Sequence, residues 1–174
     1  ILVAPGETFS FAKALGDISS FTGYKQAYII QNGKTVLGDG GGVCQVSTTL
    51  FRSALNAGLP IEERSAHAYI VSYYEQDSPP GIDATVYVPT VDLKFRNDTT
   101  NHILIQTLVD LNELRLTFML YGTKDGRTTE ISTPVITKQT PAPEPRYEDD
   151  PNLPKGVVKQ VDFAAAGANV YFTR

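Results

Sequence analysis

The sequence is poor in the residues that most often announce a special chemistry. It has one cysteine, no tryptophan, one methionine and two histidines among 174 residues. A single thiol forms no internal disulfide, and one cysteine with two histidines falls short of the four ligands of a structural zinc site. Carboxylates could complete a metal site, but no spacing points to one. Neither a metal nor a cofactor is expected. Positive charge is also scarce: 15 Lys and Arg stand against 19 Asp and Glu, a net charge of −4. No basic cluster exists to neutralise phosphates, so nucleic acid is not an expected partner. No apolar run approaches the roughly 20 residues of a membrane span. The first residue is Ile1, inside an apolar segment, so the chain reads as a piece of a longer protein whose signal or membrane anchor would lie upstream.

What is present fits an ordinary globular chain: 41% hydrophobic and 20% charged residues, enough for one domain with an appendage. AYIIQ (27–31) and KTVL (34–37) flank Asn32-Gly33, a strong hairpin signal. Four of the 14 glycines then fall between Gly38 and Gly42. From Val43 the apolar period changes to three and four, through Val46, Leu50, Ala54 and Leu55, and predicts a helix over about 45–57 closed by Gly58 and Pro60. Strand-like stretches follow at 67–74, 83–88, 92–97, 102–109, 113–122 and 128–137. Strands, one long helix, then many strands predict an α+β fold with a mainly antiparallel sheet. Six of the 11 prolines lie between Pro134 and Pro154. The expected organisation is a domain over 1–137, a Pro-rich linker over 138–156, and a strand-like segment over 157–174 that either opens a second small unit or folds back.

Cys44 falls between the glycine-rich loop and the first helical turn. Free N–H groups and the helix dipole stabilise a thiolate there. The N–H groups of Gly41, Gly42 and Gln45 could hold the oxyanion of a tetrahedral intermediate. His67 lies beyond the helix and a return turn, where it can stand beside Cys44 as the base; His102 sits in a polar turn and reads as a surface residue. Asp83 could orient His67, with Asp92, Asn97 and Glu75 as alternatives. The order cysteine, histidine, aspartate is that of papain-like and transglutaminase-like enzymes. Arg64 reads as a carboxylate clamp or as a surface partner of Glu62 or Glu63. Ser47 and Thr48 share the cysteine's helix face and either line a site or bond back to the helix. Tyr69, Tyr73 and Tyr74 are either groove residues or sheet filler. The glycine-rich loop lacks the Lys-Ser/Thr of a phosphate-binding loop, which excludes that reading.

PGETFSF, GY (23–24), GDGGGVCQVSTTLFRSALNAGLPIEERSAH, GIDATV and DLKFRN together resemble the VanW domain family over roughly residues 1–137, and PAPEPRYEDDPNLPKG resembles the approach to a G5 module. The resemblance implies an exported, usually membrane-anchored protein facing the cell wall, with peptidoglycan stem peptides as partners. It further implies an L,D-transpeptidase that makes 3-3 cross-links through a cysteine, without the His-Gly-x-x-Cys signature of the better-known transpeptidase fold. Carried over by position, Cys44 is the nucleophile and His67 the histidine of an Arg-x-x-His stretch. The family often has serine after that histidine, where this chain has Ala68. A wall amidase or endopeptidase using the same cysteine, and a non-catalytic wall-binding module, are the alternatives.

Overall fold

The computed structural model describes residues 1–31 and 34–174. All strand pairings among them are antiparallel, and two α-helices are present, so the fold is α+β as expected. One sheet has the order β1 (Leu2–Val3), β7 (Ile103–Asp110), β8 (Arg115–Tyr121). A second has the order β2 (Thr8–Ser10), β6 (Lys94–Arg96), β5 (Ile61–Glu63). Two hairpins complete the set: β3 (Gln26–Gln31) with β4 (Lys34–Asp39), and β9 (Val135–Thr140) with β10 (Gly167–Tyr171). The Asn32-Gly33 turn lies outside the described residues; the strands on either side pair in register from Gln26 opposite Asp39 to Gln31 opposite Lys34.

A short helix, α1 (Phe11–Leu15), begins at Ser10, whose hydroxyl accepts the Lys13 N–H. The long helix, α2 (Val43–Asn56), starts two residues before the predicted boundary. Gly42, at φ +88°, is its N-cap, a left-handed conformation that suits glycine. Gly41 answers a different need: a β-carbon there would lie 2.2 Å from the Ala27 β-carbon, so the bare backbone lets β3 close over the helix start. Leu50, Phe51, Ala54 and Leu55 turn one face of α2 into a core shared with Phe9, Leu93, Phe95, Ile103 and Ile105. Ile103 and Ile105 point inward and Leu104 outward, the alternation of a half-buried strand.

Three predicted strands are corrected. Residues 67–74 are not a strand: the His67 N–H goes to the Asp83 carboxylate, and 72–75 close into a 3-10 turn in which Tyr74 N–H donates to the Val71 carbonyl. Residues 83–88 make only isolated bridges, Ser65 with Thr85 and Tyr87 with Val91. Their main chain is bonded by the helix instead, with Ser47 Oγ donating to the Ala84 carbonyl at 2.6 Å and Ala84 N–H donating to Thr48 Oγ1 at 3.1 Å. The stretch expected over 128–137 is regular only from Val135, where β9 begins, and β9 runs on to Thr140, beyond the expected start of the linker. The C-terminal strand folds back: β10 pairs with β9, Phe172 packs on the core, and Arg174 donates to the Leu59 carbonyl.

Phe95, fully buried on the central strand of its sheet, stacks on Phe9 with ring centroids 4.9 Å apart. Phe95→Ala is expected to cost about 3–5 kcal/mol, read as a lowered urea midpoint at unchanged slope.

Candidate active site

The first turn of α2 presents Cys44 half-buried. Its Sγ lies 3.5 Å from Thr85 Oγ1 and 3.5 Å from the Val86 carbonyl oxygen. Thr85 and Val86 belong to the segment that Ser47 and Thr48 tie to the helix, so the thiol and its neighbours are set by one group of side-chain-to-backbone bonds. Among the described residues the Cys44 N–H makes no hydrogen bond, nor do those of Gly41 and Gly42. The Gln45 N–H, expected to be free, donates to the Gly42 carbonyl at 3.0 Å, because the helix opens with a tight turn. The donors open to an incoming group are therefore those of Cys44 and the two glycines.

His67 reaches Cys44 from the far side of the return turn with its side chain only 3% exposed. Asp83 fixes its attitude twice, with Oδ2 2.5 Å from Nδ1 and 2.9 Å from the backbone N–H. With Nδ1 so engaged, Nε2 is the nitrogen left for the thiol. Arg64 stands on the other oxygen: its guanidinium donates to Asp83 Oδ1 at 3.1 Å, to the Asp83 carbonyl at 2.6 Å and to the Gly81 carbonyl. It also lies 5.3 Å over the Phe51 ring. Arg64 is thus not a surface partner of Glu62 or Glu63; its Nε and Nη2 hold Asp83 and the Gly81 carbonyl. Ser47 is fully buried with its hydroxyl committed to the Cys44 and Ala84 carbonyls, so it bonds the helix and does not line a site.

The other candidates separate cleanly. Asp92 is buried beneath α1, where it accepts from Ser10 Oγ, Ala12 N–H and Leu93 N–H. Asn97 clasps the Val3 and Asn101 carbonyls. His102 is exposed. One contributor was not legible beforehand. Arg52, about two helical turns after Cys44, donates to the carbonyls of Ile82 and Tyr74 and to Asp77, bracing the loops that carry the Asp83 segment. Tyr74 sets its ring 5.0 Å from the imidazole at 37°, and Tyr73 meets it edge-on at 4.5 Å. The Tyr74 hydroxyl is buried and among the described residues has no hydrogen-bond partner, and burial, then the neighbouring Tyr73, pushes its pKa up.

These contacts set the charge states. Burial by itself disfavours the Cys44 thiolate, but hydrogen bonding from His67, the Val86 backbone and Thr85, with the imidazolium charge, outweighs it and lowers the thiol's pKa. Burial likewise disfavours a charged His67, yet Asp83 and the thiolate push its pKa up to about 9. The Asp83 carboxyl also loses by burial, and is held below the usual range by the hydrogen bonds of His67 and the Arg64 charge. The result is a line of alternating charge: guanidinium, carboxylate, imidazolium, thiolate. Among the described residues no three His, Cys, Asp or Glu side chains cluster as a metal would require.

A cleft of about 330 Å³ opens beside His67 and Asp83, with Tyr69 and Tyr74 among its walls; Cys44 is not among the residues lining it.

An antiparallel α+β domain that aligns a helix-borne cysteine, a histidine and a carboxylate defines the class of scaffold. The chain belongs to the VanW family, whose description, VanW like protein, matches residues 1–119. It is 45% identical over 105 residues to the uncharacterized protein YoaR of Bacillus subtilis (strain 168), covering 60% of this chain and 33% of that protein. It is 40% identical over 102 residues to the vancomycin B-type resistance protein VanW of Enterococcus faecalis (strain ATCC 700802 / V583), covering 57% and 36%. The match therefore spans about a third of each of these curated relatives. No solved structure matches.

The charge pairing sets a pH dependence. His67 holds its proton more tightly when folded, so its contribution to stability is complete below pH 6.5 and is lost as pH rises through about 9. Alkylation of Cys44 by iodoacetamide should stay fast well below the ordinary thiol pKa and fall only as pH drops through the lowered one. His67→Ala is expected to move that inflection up, to or beyond the value of a free thiol, and Asp83→Asn to move it part of the way. An unchanged inflection in His67→Ala would show that the imidazole does not set the thiol's charge.

Proposed function

We propose that this domain is a cysteine-dependent acyltransferase acting on peptidoglycan stem peptides, an L,D-transpeptidase that forms 3-3 cross-links. The observation that carries the reading is the line Cys44, His67, Asp83 at the start of α2, with an unengaged N–H on the cysteine itself. One relative is named as a vancomycin resistance protein, which accords with a role at the cell wall and a location outside the cytoplasm.

In this mechanism the thiolate attacks the carbonyl of an L-centre residue in a donor stem. The Cys44 N–H, with those of Gly41 and Gly42, supplies the donors for the developing oxyanion in this mechanism. As the carbon–nitrogen bond breaks, His67 gives its proton to the departing D-amino acid, and Cys44 is left as a thioester. The side-chain amine of a second stem then attacks the thioester. His67 takes the amine proton, the carbon–sulfur bond breaks, and the thiolate–imidazolium pair is restored. Asp83 keeps the imidazole oriented through both steps. Water in place of the amine would give a hydrolase, with the same first half-reaction.

Intact-mass measurement with a disaccharide-tetrapeptide muropeptide tests the proposal. The wild type should gain one acyl group and release a D-amino acid, while Cys44→Ala gains nothing. Adding an acceptor stem should give cross-linked dimers; tripeptides alone would assign a hydrolase instead. The absence of any adduct on a thiol no more reactive than free cysteine would overturn the catalytic reading in favour of a wall-binding module. His67→Ala is expected to slow adduct formation by about 10²–10⁴-fold.

A further inference from the structure

The cleft beside His67 is walled mostly by consecutive residues. Three unbroken runs, 66–71, 79–83 and 167–170, line it, joined by Arg52, Arg64, Tyr74 and Glu75. A strand that turned a face toward a cavity would show every second residue, because side chains alternate. β10 shows four in succession, three of them, Gly167 to Asn169, before its bulge at Asn169 and Val170, so the cleft meets its edge. The other edge of β10 is occupied by β9, its one strand partner among the described residues.

The facing run is equally unpaired. Among the described residues the backbone N–H groups of Ala68, Tyr69, Ile70 and Val71 donate to no protein group. The two arginines that border the cleft are each ion-paired, Arg64 with Asp83 and Arg52 with Asp77, and both also hold main-chain carbonyls. What the cleft offers a ligand is main-chain donors and acceptors on two sides, with aromatic and aliphatic side chains, the Glu75 carboxylate and the Asn169 amide between.

We infer that this cleft takes a short extended peptide, held main chain to main chain between residues 66–71 and the free edge of β10. An extended peptide presents N–H and C=O groups along both edges, and adding it to an exposed strand edge is an established mode of recognition. The wall contributed by β10 lies beyond residues 1–119, the part that matches the family. That wall is seated: the Val170 side chain packs against Gly81, where a β-carbon would come within 2.9 Å of it. The C-terminal hairpin is thus a specificity-determining part of the site. The inference rests on the proposed function only in its choice of peptide, the peptidoglycan stem.

Hydrogen exchange of the whole chain, with and without the disaccharide-tetrapeptide muropeptide, tests it, with chitotetraose as the glycan lacking a peptide. Exchange should slow at 66–71 and at 167–171 with the muropeptide and not with the glycan. Ala68→Trp, at an exposed position on the cleft wall, should raise the half-saturating muropeptide concentration about tenfold or more, with exchange in β7 and β8 reporting that the fold is kept. Slowed exchange without an acyl adduct would retain the peptide site and remove the transpeptidase reading. An adduct formed without slowing at the two runs would overturn the peptide site alone. Equal slowing by the glycan would also overturn it, and the absence of both adduct and slowing would overturn both readings.

Discussion

The carboxylate of Asp83 is the point on which the rest of the site depends, because each of its oxygens answers to a different partner. Oδ2 receives the ring and the backbone N–H of His67, while Oδ1 receives Arg64. The guanidinium in turn holds the carbonyls of Gly81 and Asp83, so the acid is fixed by its own main chain as well as by its charge. Burying such a row of ions does little for net stability, since desolvation offsets most of the Coulombic gain. Its effect is positional and electronic. It fixes which imidazole nitrogen faces Cys44, and it keeps a proton on His67 at a pH where the thiol has lost its own.

That arrangement explains why a stretch with the composition of a strand does not form one. Residues 83–86 must place a carboxylate, a hydroxyl and a carbonyl around one histidine and one thiol. A regular ladder would commit their backbone groups to a neighbouring strand at fixed spacing. The helix takes over that duty through Ser47 and Thr48, whose hydroxyls bond the Ala84 main chain in the middle of the segment. Placing Ser and Thr inside a helix is unfavourable for the helix alone. Here the same two residues satisfy a buried backbone that has no strand partner, which is worth more than the propensity lost.

Much of this was legible in the residues. The change of period at Val43 gave α2 within two positions, and the antiparallel character followed from strand runs with short turns. Cys44 and His67 were legible as a pair because helix dipole, chain order and residue type pointed the same way, whereas Asp83 was one of four candidates for the third place. The errors share one cause. Alternation at 67–74 and β-branched residues at 83–88 are local signals of a pleated surface, and tertiary hydrogen bonds overrode both. Arg64 and Arg52 show the complementary limit: sequence gives the charge of an arginine but not the carbonyls that will use up its donors. The density of glycine at 38–42 was legible, but not that Ala27 of the same chain closes on Gly41.

The relation between the cleft and the thiol carries one further consequence for the proposed chemistry. His67 and Asp83 form part of the cleft wall, and Cys44 does not. A peptide lying in the cleft therefore meets the imidazole first and must turn past it to bring a carbonyl to sulfur. Among the described residues the N–H groups of Gly41, Gly42 and Cys44 at the start of α2 are unengaged. In the proposed reaction the cleft would hold the body of one stem while the reacting carbonyl stays at the helix end, with the imidazole serving a leaving amine or an attacking one without changing its own partner at Asp83. A histidine held on Nδ1 by a carboxylate that is itself held on its other oxygen is suited to that, because one fixed Nε2 must act first as acid and then as base.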